Sequence, residues 1–424
     1  MEYKGRIADI LLQEKLEAMG AVLIKGPKAC GKTTTAEQQA NSILYLMDPQ
    51  KKEQYMQMAQ TDITYLLKGD TPRLIDEWQR IPQLWDAIRF EVDHREDDGQ
   101  FILTGSAVPA DQSKIQHTGT ARFATLTMRP MTLWESGESN GNVSLSDLFS
   151  APSTIGAENN LSLSDLAFLI CRGGWPKAIG KKTEKAALMQ IKEYYKTLTD
   201  SDIKRIDDVE RNTDRMRRIM RSYARHQGTQ ASIATLLADV AANEVDSVSD
   251  ETIHSYLKAL RDVFVIEDMW AWNPNIRSKT AIRTSDTRYY TDPSFGTAAL
   301  GLGPNDLLND LSTFGLFFET LCIRDLRVYA EALEGQVYHY RDKNGLECDA
   351  VVHLENGSYG LVEIKLGGEE RIEEGAKTLH ALAGIIDTTR MKSPSFMMVL
   401  TGVGDYAYRR TDGVYVVPVG CLKP

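Results

Sequence analysis

The stretch AVLIKGPKACGKTTTAEQQANSIL, residues 21–44, decides the fold of the amino-terminal part of the chain. It begins with an apolar strand, continues through GPKACGKT at 26–33, and ends in a helical segment. GPKACGKT matches the pattern G-x-x-x-x-G-K-[ST], and a strand before it and a helix after it are the context that the pattern requires. Backbone N–H groups of such a loop surround phosphates at the start of the helix. The sequence therefore predicts a phosphate-binding loop.

Several residues of this loop have an expected role. Gly26 and Gly31 allow the backbone to curl, Lys32 reaches the β- and γ-phosphates, and Thr33 offers its hydroxyl to Mg²⁺. Cys30 is expected to be a small filler. The predicted nucleotide contacts are Gly26, Pro27, Lys28, Ala29, Cys30, Gly31, Lys32, Thr33, Thr34 and Thr104.

A pair of acids follows about forty residues later, in PRLIDEWQ at 72–79. An acid at the tip of a strand holds Mg²⁺, and a neighbouring glutamate polarises the attacking water. We therefore predict that Asp76 is the metal-side acid and Glu77 the general base. The strand FILTGSA at 101–107 supplies either Thr104 or Ser106 as a sensor of the γ-phosphate, and the sequence does not choose between them.

Residues 1–135 alternate short apolar runs with helical patterns, which predicts a parallel sheet covered by helices on both faces. GPKACGKT, RLIDEWQRIP, FILTGS and ARFATLTMRPMTLWE together resemble the AAA+ branch of P-loop ATPases. GGWPKA, YLKALRDVFVIEDMWAW and RYYTDPSFG resemble the carboxy-terminal domain of unknown function that usually follows this ATPase. The resemblance covers nearly the whole chain. It predicts an α/β multidomain protein.

The AAA+ resemblance also implies ATP as the nucleotide, Mg²⁺, and a homo-oligomer such as a hexameric ring. In such rings an arginine from one subunit completes the site of its neighbour. Arg122 or Arg129 matches that arginine by position. The alternative is that either one binds a nearby carboxylate or the end of a helix.

Composition limits the alternatives. A chain of 424 residues is expected to form two or three domains. Five scattered cysteines without a C-x-x-C pair are typical of reduced thiols, and no apolar run approaches the roughly 18 residues of a membrane span. We therefore expect a cytoplasmic protein with no membrane partner. The formal net charge of −10 disfavours a protein coated in nucleic acid, although a net charge hides local patches.

The middle of the chain changes in character. Residues 136–164 are rich in Ser, Gly and Asn and are expected to be a linker or flexible loop. Residues 165–310 are expected to be helical with a winged-helix, DNA-binding module. Its segment 204–227 holds eight Lys and Arg against four Asp and Glu. Ser249 is the expected N-cap of the next helix.

Residues 311–424 form a further predicted α/β domain, with acids and a lysine in an apolar hairpin at 347–367. Glu363 and Lys365 are two apart on one strand, so their side chains share a face. Asp349 on the partner strand converges with them, and Glu319 in the preceding helix is placed to add a further acid. Carboxylates suit Mg²⁺ or Mn²⁺, and Lys365 is placed to orient or deprotonate water.

This arrangement resembles the PD-(D/E)XK nuclease superfamily, which includes Holliday-junction resolvases. The resemblance maps the metal ligands onto Glu319, Asp349 and Glu363 and the catalytic lysine onto Lys365. Two alternatives stay open, namely a fold retained without cleavage and a surface hairpin with a Glu–Lys pair on its wet face.

The sequence thus predicts an ATP-dependent DNA-processing enzyme, with branched DNA such as a Holliday junction as the first substrate to test. A second hypothesis is a nucleotide-switched regulatory ATPase whose terminal domain binds but does not cut. A third is a protein-remodelling or defence-associated ATPase without a nucleic-acid partner.

Overall fold

The computed structural model describes residues 3–105, 119–203, 209, 211–241, 248–274 and 285–424. The chain divides into two compact units. The first comprises Met1–Pro130, Thr197–Arg211 and Lys258–Phe264, and the second comprises Met131–Lys196, Asn212–Leu257 and Val265–Pro424. No helix within the described ranges is both long enough and apolar enough to cross a membrane.

The first unit is built on a five-stranded parallel sheet. Its strands are β1 Ala21–Lys25, β2 Ser42–Tyr45, β3 Arg73–Asp76, β4 Phe101–Gly105 and β5 Phe123–Thr127. Its helices are α1 Ile7–Ala18, α2 Lys32–Gln39, α3 Lys52–Thr61 and α4 Leu84–His94. The strand order is β2-β3-β4-β1-β5, which confirms the predicted parallel sheet. Because all strands are parallel, the carboxyl ends of β1, β3 and β4 lie at one edge, where ligands of such sheets bind.

Apolar side chains explain why these strands are central. All of β4 and most of β1 are buried, as expected for parallel strands covered on both faces. On one face, Trp85 of α4 stacks on Phe123 of β5 with ring centroids 4.0 Å apart. Trp78, just after β3, lies 5.1 Å from Trp85 and is 4 % exposed. The turn that follows β3 is therefore fixed to the core by a tryptophan.

The second unit contains the remaining elements that the structure describes. Its helices are α5 Leu133–Ser136, α6 Leu145–Phe149, α7 Leu163–Arg172, α8 Pro176–Ile179, α9 Glu184–Thr197, α10 Thr213–Arg225, α11 Ile233–Ala241, α12 Asp250–Asp262, α13 Pro293–Leu300, α14 Pro304–Asn309, α15 Leu311–Glu331 and α16 Glu369–Ile385. Its strands are β6 Val143–Ser144, β7 Ala157–Glu158, β8 Gly335–Arg341, β9 Glu347–Leu354, β10 Tyr359–Lys365, β11 Phe396–Thr401, β12 Tyr406–Arg409, β13 Tyr415–Pro418 and β14 Leu422–Lys423. The last residues of α9 and α12 fall within the bounds of the first unit.

Seven of these strands form one sheet in the order β7-β12-β13-β11-β10-β9-β8. Strands β9 and β10 are antiparallel neighbours, and β10 and β11 are parallel. Apolar residues of α16, including Leu379 and Leu382, pack in one core cluster with Tyr359 and Leu361 of β10. The order of helix α15, strands β8 to β10 and helix α16 is the order predicted for residues 311–424.

Residues 136–164 differ from the predicted linker or flexible loop. They contain β6, α6 and β7, and each strand pairs with a strand near the end of the chain. Strand β6 is parallel to β14, and β7 is antiparallel to β12. The Ser, Gly and Asn content reflects turns and helix caps between short elements: the hydroxyl of Ser144, for example, accepts a hydrogen bond from the backbone N–H of Asp147 at the start of α6.

Helices α10, α11 and α12 precede a pair of antiparallel segments. Ile266 lies opposite Tyr290 and Met269 lies opposite Thr287, so 265–274 and 285–291 form the base of a hairpin. Ser249 caps α12 as predicted, because its hydroxyl accepts a hydrogen bond from the backbone N–H of Thr252 at 3.3 Å.

A buried ionic cluster connects the segments GGWPKA and RYYTDPSFG. The carboxylate of Asp292 accepts hydrogen bonds from the backbone N–H of Gly174 and from the guanidinium of Arg324, each at 2.9 Å. Arg324 also binds Asp325, whose carboxylate accepts from the backbone N–H of Leu133 at 3.0 Å. Burial raises the pKa of Asp325 to about 6, although Arg324 opposes the effect. The cluster fixes four sequence-distant segments of the second unit together.

Candidate functional site

The loop 26–33 folds around its own lysine. Lys32 is the first residue of α2 and is 6 % exposed. Its ammonium donates to the carbonyl oxygens of Gly26 and Pro27, both at 2.8 Å. Gly26, Ala29 and Gly31 have positive φ angles of 149°, 63° and 111°, so the backbone curls as predicted for a phosphate loop.

The back of the loop rests on the backbone that follows β5. A Cβ atom on Gly26 would lie 2.0 Å from the carbonyl oxygen of Met128, so only glycine fits. Cys30 is fully buried, and its Sγ lies 3.5 Å from the same carbonyl oxygen, consistent with its predicted role as a filler. The guanidinium of Arg6 donates to the carbonyl oxygens of Cys30 and Arg129 at 3.0 and 2.9 Å. The sequence pattern gave no sign of this role for Arg6.

Asp76 is the point where the three strand ends meet. Its Oδ1 accepts a hydrogen bond from the hydroxyl of Thr33 at 2.8 Å and from that of Thr104 at 2.7 Å. The structure therefore brings together the residues predicted as Mg²⁺ ligands and one of the two candidate sensors. The other candidate, Ser106, lies outside the described residues.

Glu77, the predicted base, follows in a left-handed conformation with φ 59° and ψ 42°. This conformation is unfavourable for a non-glycine residue and is concentrated at functional sites. Its Oε2 accepts a hydrogen bond from the side-chain amide of Gln79 at 2.6 Å. Sequence reasoning did not single out Gln79.

Three further predicted residues of this unit, Lys28, Thr34 and Arg122, make hydrogen bonds within the chain. The ammonium of Lys28 donates to both carboxylate oxygens of Asp202 at 3.1 and 3.2 Å. Thr34 accepts a hydrogen bond on its carbonyl oxygen from Gln38. Arg122 donates to Asp93 of α4 at 2.7 Å, and this hydrogen bond lowers the pKa of that carboxyl. Arg122 therefore pairs with a carboxylate in the same chain, as the alternative interpretation expects.

In the second unit, two acids converge on Lys365. Its ammonium lies 2.6 Å from Oε2 of Glu363 and 3.3 Å from Oδ2 of Asp349. The same Asp349 oxygen accepts from the backbone N–H of Ile364 at 2.7 Å. Glu363 is 4 % exposed, and α16 covers it through Gly375, where an added Cβ would lie 3.3 Å from that of Glu363. The pair thus lies inside the fold, unlike a Glu–Lys pair on the wet face of a hairpin.

Glu319 lies in the middle of α15 and is held by another segment. Its carboxylate accepts a short hydrogen bond from the hydroxyl of Tyr289, in the hairpin that follows α12. Burial, reinforced by the charge of Asp349, raises the pKa of Glu319 to about 8. The same two causes raise the pKa of Glu363 to about 8. Burial works to lower the pKa of Lys365, but the charges of Asp349 and Glu363 outweigh it and raise the pKa.

The predicted three-acid ligand set is not preformed. Across the described residues, no three His, Cys, Asp or Glu side chains are grouped so that they could hold a metal ion. The reason is local, because Lys365 lies against Asp349 and Glu363 while Glu319 binds Tyr289. The donor set still fits a cation, since an ammonium already lies against two of its carboxylates.

A small polar pocket adjoins this cluster. It is lined by Gly228, Gln230, Thr287, Tyr289, Glu319, His339, Tyr340, Arg341, Glu347, Cys348 and Asp349. The turn after α10, the hairpin, α15 and strands β8 and β9 all contribute. Sequence reasoning missed Tyr289, whose only signal was its place in the motif RYYTDPSFG.

Comparisons with known proteins assign a class to the first unit. Residues 19–136 match the family described as AAA domain. They include the phosphate loop, Asp76, Glu77 and Thr104. The chain therefore carries a P-loop ATPase domain on a parallel sheet. Residues 163–306 and 314–422 match two domains of unknown function, DUF8612 and DUF4143, and these descriptions name no activity.

Two similar proteins match over nearly the whole chain, and their names state no activity. The protein Mb2031c of Mycobacterium bovis and the protein Rv2008c of Mycobacterium tuberculosis are each 24 % identical over 420 residues, which is 99 % of this chain and 84 % of the relative. The Walker-type ATPase PABY2304 of Pyrococcus abyssi is 13 % identical and covers 70 % of this chain and 96 % of its own. Its TM-score of 0.44 is too low to support a structural argument.

Proposed function

We propose that the first unit hydrolyses ATP. The observation that carries the proposal is the convergence of the hydroxyls of Thr33 and Thr104 on one oxygen of Asp76, within 2.8 Å, beside a loop that encloses Lys32. Three strand ends thus supply a phosphate cradle, a metal-side acid and a sensor in one place.

The roles follow from the contacts. Lys32 exchanges the carbonyl oxygens of Gly26 and Pro27 for the oxygens of the β- and γ-phosphates. The hydroxyl of Thr33 and the carboxylate of Asp76 are hard oxygen donors that would hold Mg²⁺. When bound, Mg²⁺ neutralises charge that develops on the phosphates. Glu77 accepts a proton from the attacking water.

A phosphate-release assay tests this proposal. Lys32→Ala is expected to lower the rate of ATP hydrolysis at least about 100-fold, because the charge on the transferred phosphoryl group loses its ammonium partner. Glu77→Gln should lower it while ATP still binds. Lys52→Ala, an exposed lysine at the start of α3, is the matched control. A parent rate in Lys32→Ala would overturn the proposal.

We also propose that the ATPase acts as a homo-oligomer in which Arg122 leaves Asp93 and enters a neighbouring site. The support is that this ion pair is partly exposed, with 38 % of the Arg122 side chain accessible, so opening it costs little. Arg122→Ala and Lys32→Ala subunits should each be inactive, and a mixture should recover activity. Full activity of Arg122→Ala alone would exclude the role and leave Arg129.

We propose a second activity at the cluster around Lys365, metal-dependent cleavage of DNA, with branched DNA as the first substrate. The specific observation that favours it is that a buried Glu363 and Asp349 both contact one ammonium, while Glu319 lines the adjoining pocket together with Asp349. Acids with strongly raised pKa values are concentrated at functional sites. Asp349, Glu363 and Glu319 would hold Mg²⁺ or Mn²⁺, and Lys365 would orient water.

We propose that α10 to α12 and the hairpin form a winged-helix module that binds DNA. Its support is the helix order, the antiparallel pairing of the hairpin base, and exposed arginines such as Arg221 and Arg225 on α10. Basic side chains bind DNA through its phosphates, and such binding weakens as salt increases. Salt-dependent binding of DNA would separate this proposal from a protein-remodelling or defence role.

One gel separates cutting from binding. The purified chain is incubated with linear, forked and four-way DNA, with and without ATP and Mn²⁺. Nicking that disappears in Asp349→Ala and Lys365→Ala, while ATP hydrolysis persists, would support cleavage. Binding without nicking would instead support the nucleotide-switched regulatory ATPase.

A further inference from the structure

In the turn that follows β3, the side-chain amide of Gln79 donates one hydrogen bond, but its oxygen accepts none within the described residues. Gln79 lies in the short helical turn Trp78–Arg80, next to the buried ring of Trp78. Its amide N–H donates to Oε2 of Glu77 at 2.6 Å. Its amide oxygen, Oε1, is buried and has no hydrogen-bond partner within the described part of the chain. Buried polar atoms are nearly always paired, so this oxygen requires an explanation.

The unpaired oxygen lies at the edge of the sheet where the phosphate site is built. A Cβ atom on Gly105 would lie 2.6 Å from Oε1 of Gln79, so the amide rests against the last residue of β4. The residue before it, Thr104, donates to Asp76 at 2.7 Å. The amide therefore lies between Glu77, which follows β3, and Gly105, which follows the sensor Thr104 on β4. Gly105 leaves room for it, because any larger side chain there would displace it.

We propose that Gln79 positions the attacking water together with Glu77. The amide N–H of Gln79 donates to Oε2 of Glu77, so Oε1 of Glu77 can accept a hydrogen bond from one O–H group of the water. The amide oxygen of Gln79 accepts a hydrogen bond from the other O–H group of the same water. Two acceptors fix both O–H bonds of one water, and a fixed water has one lone pair aimed at the phosphorus. The inference rests on the ATP hydrolysis proposed for this site.

The step balances with ATP and water alone. The water oxygen forms a bond to the γ-phosphorus, and one water proton passes to Glu77. The bond from that phosphorus to the β–γ bridging oxygen breaks, and its electron pair leaves with ADP. Gln79 gains and loses no proton, so it is a positioning residue.

The first test compares Gln79→Leu with Gln54→Leu, an exposed glutamine of α3, in the full chain. Leucine has a similar volume but neither a hydrogen-bond donor nor an acceptor. We expect Gln79→Leu to lower kcat for ATP hydrolysis roughly 10- to 100-fold, within the range for a positioned acid–base partner, while the Kd for a non-hydrolysable ATP analogue changes less than about twofold. An unchanged kcat, or equal losses in kcat and affinity, would overturn the inference.

A second test uses Gly105. Gly105→Ala is expected to lower kcat in the parent chain, because its methyl group displaces the amide of Gln79. In a Gln79→Ala background the same change should cost little more, since the space is already open. Additive losses would overturn the inference. Absence of hydrolysis in the parent chain would instead overturn the proposed function itself, so the two failures are distinguishable.

Discussion

At the amino-terminal site one carboxylate, Asp76, accepts from two hydroxyls, whereas at the carboxy-terminal site three carboxylates lie near one ammonium, that of Lys365. At the first site the hydroxyls of Thr33 and Thr104 satisfy the acceptor oxygen of Asp76 within the fold. At the second site one ammonium lies against two acids, and the pKa values of Glu319 and Glu363 are raised to about 8, so these two carboxyl groups hold protons at neutral pH. The acid of the first site is thus satisfied by neutral donors, whereas the acids of the second site depend on one ammonium and on bound protons.

The largest effect is expected from Gly26→Ala, which tests how complete the first site is. The added methyl group would lie 2.0 Å from the carbonyl oxygen of Met128, at a φ of 149° that alanine disfavours. We expect ATP affinity to fall at least about 100-fold, since the loop loses its curl. Titration with a fluorescent ATP analogue measures the loss. Gly5→Ala, a glycine with open space and no positive φ, is the control. Parent affinity in Gly26→Ala would mean that the loop rearranges to bind.

The next prediction tests how much the ammonium of Lys365 stabilises the second site. Lys365→Met removes the ammonium and leaves Asp349 and Glu363 without their cationic partner, so the free energy of unfolding should fall by about 3 kcal/mol in the absence of metal. If the ammonium lies where a metal would, added Mg²⁺ or Mn²⁺ should raise the thermal midpoint more in this variant than in the parent.

Calorimetry with and without metal makes the measurement, and Lys377→Met, an exposed lysine of α16, is the matched control. An equal metal response in the variant and the parent would show that Lys365 and the cation do not share a position.

The smallest effect concerns pH. The pKa of Glu319 is raised to about 8 in the fold, from an ordinary 4.5. Between these values the folded chain holds a proton that the unfolded chain releases, so stability falls as pH rises through this window. Glu319→Gln keeps an acceptor for Tyr289 but removes the titration. Because Glu319 and Glu363 titrate against the same Asp349, we count about half of the roughly 4 kcal/mol that this shift gives between pH 5 and pH 8.5, so the parent should lose about 2 kcal/mol more stability than the variant over this range.

Thermal unfolding at the two pH values checks this difference, with Glu370→Gln, an exposed acid at the start of α16, as the control. Parallel pH dependence in Glu319→Gln and the parent would mean that Glu319 is ionised throughout.

Local patterns were sufficient for much of this molecule. The five parallel strands, the phosphate loop and the Ser249 cap each depend on residues within a few positions of one another. The side chains of Glu363 and Lys365 share a face because strands have a period of two, and pairing with β9 brings Asp349 to them.

The contacts that the sequence did not reveal join residues far apart. Arg6 supports the loop at Cys30 and Arg129, and Tyr289 holds Glu319. Arg6 lies outside every motif, and the place of Tyr289 in RYYTDPSFG does not indicate its partner. The segment 136–164 contains two strands that the sequence does not predict, for the same reason. They are two residues long, and their partners lie about 250 to 280 residues away, β12 for β7 and β14 for β6.

That last pairing determines how the second unit can be studied. Strand β12 needs β7 along its outer edge, and β14 needs β6, so a fragment beginning at residue 311 would expose two unpaired edges. Unpaired strand edges form hydrogen bonds with other chains, and the resulting aggregation would obscure any cleavage assay. Such distant pairing also delays folding until residues 422–423 have been synthesised. Assays of the acid cluster therefore require the segment from Met131 onward in the same polypeptide.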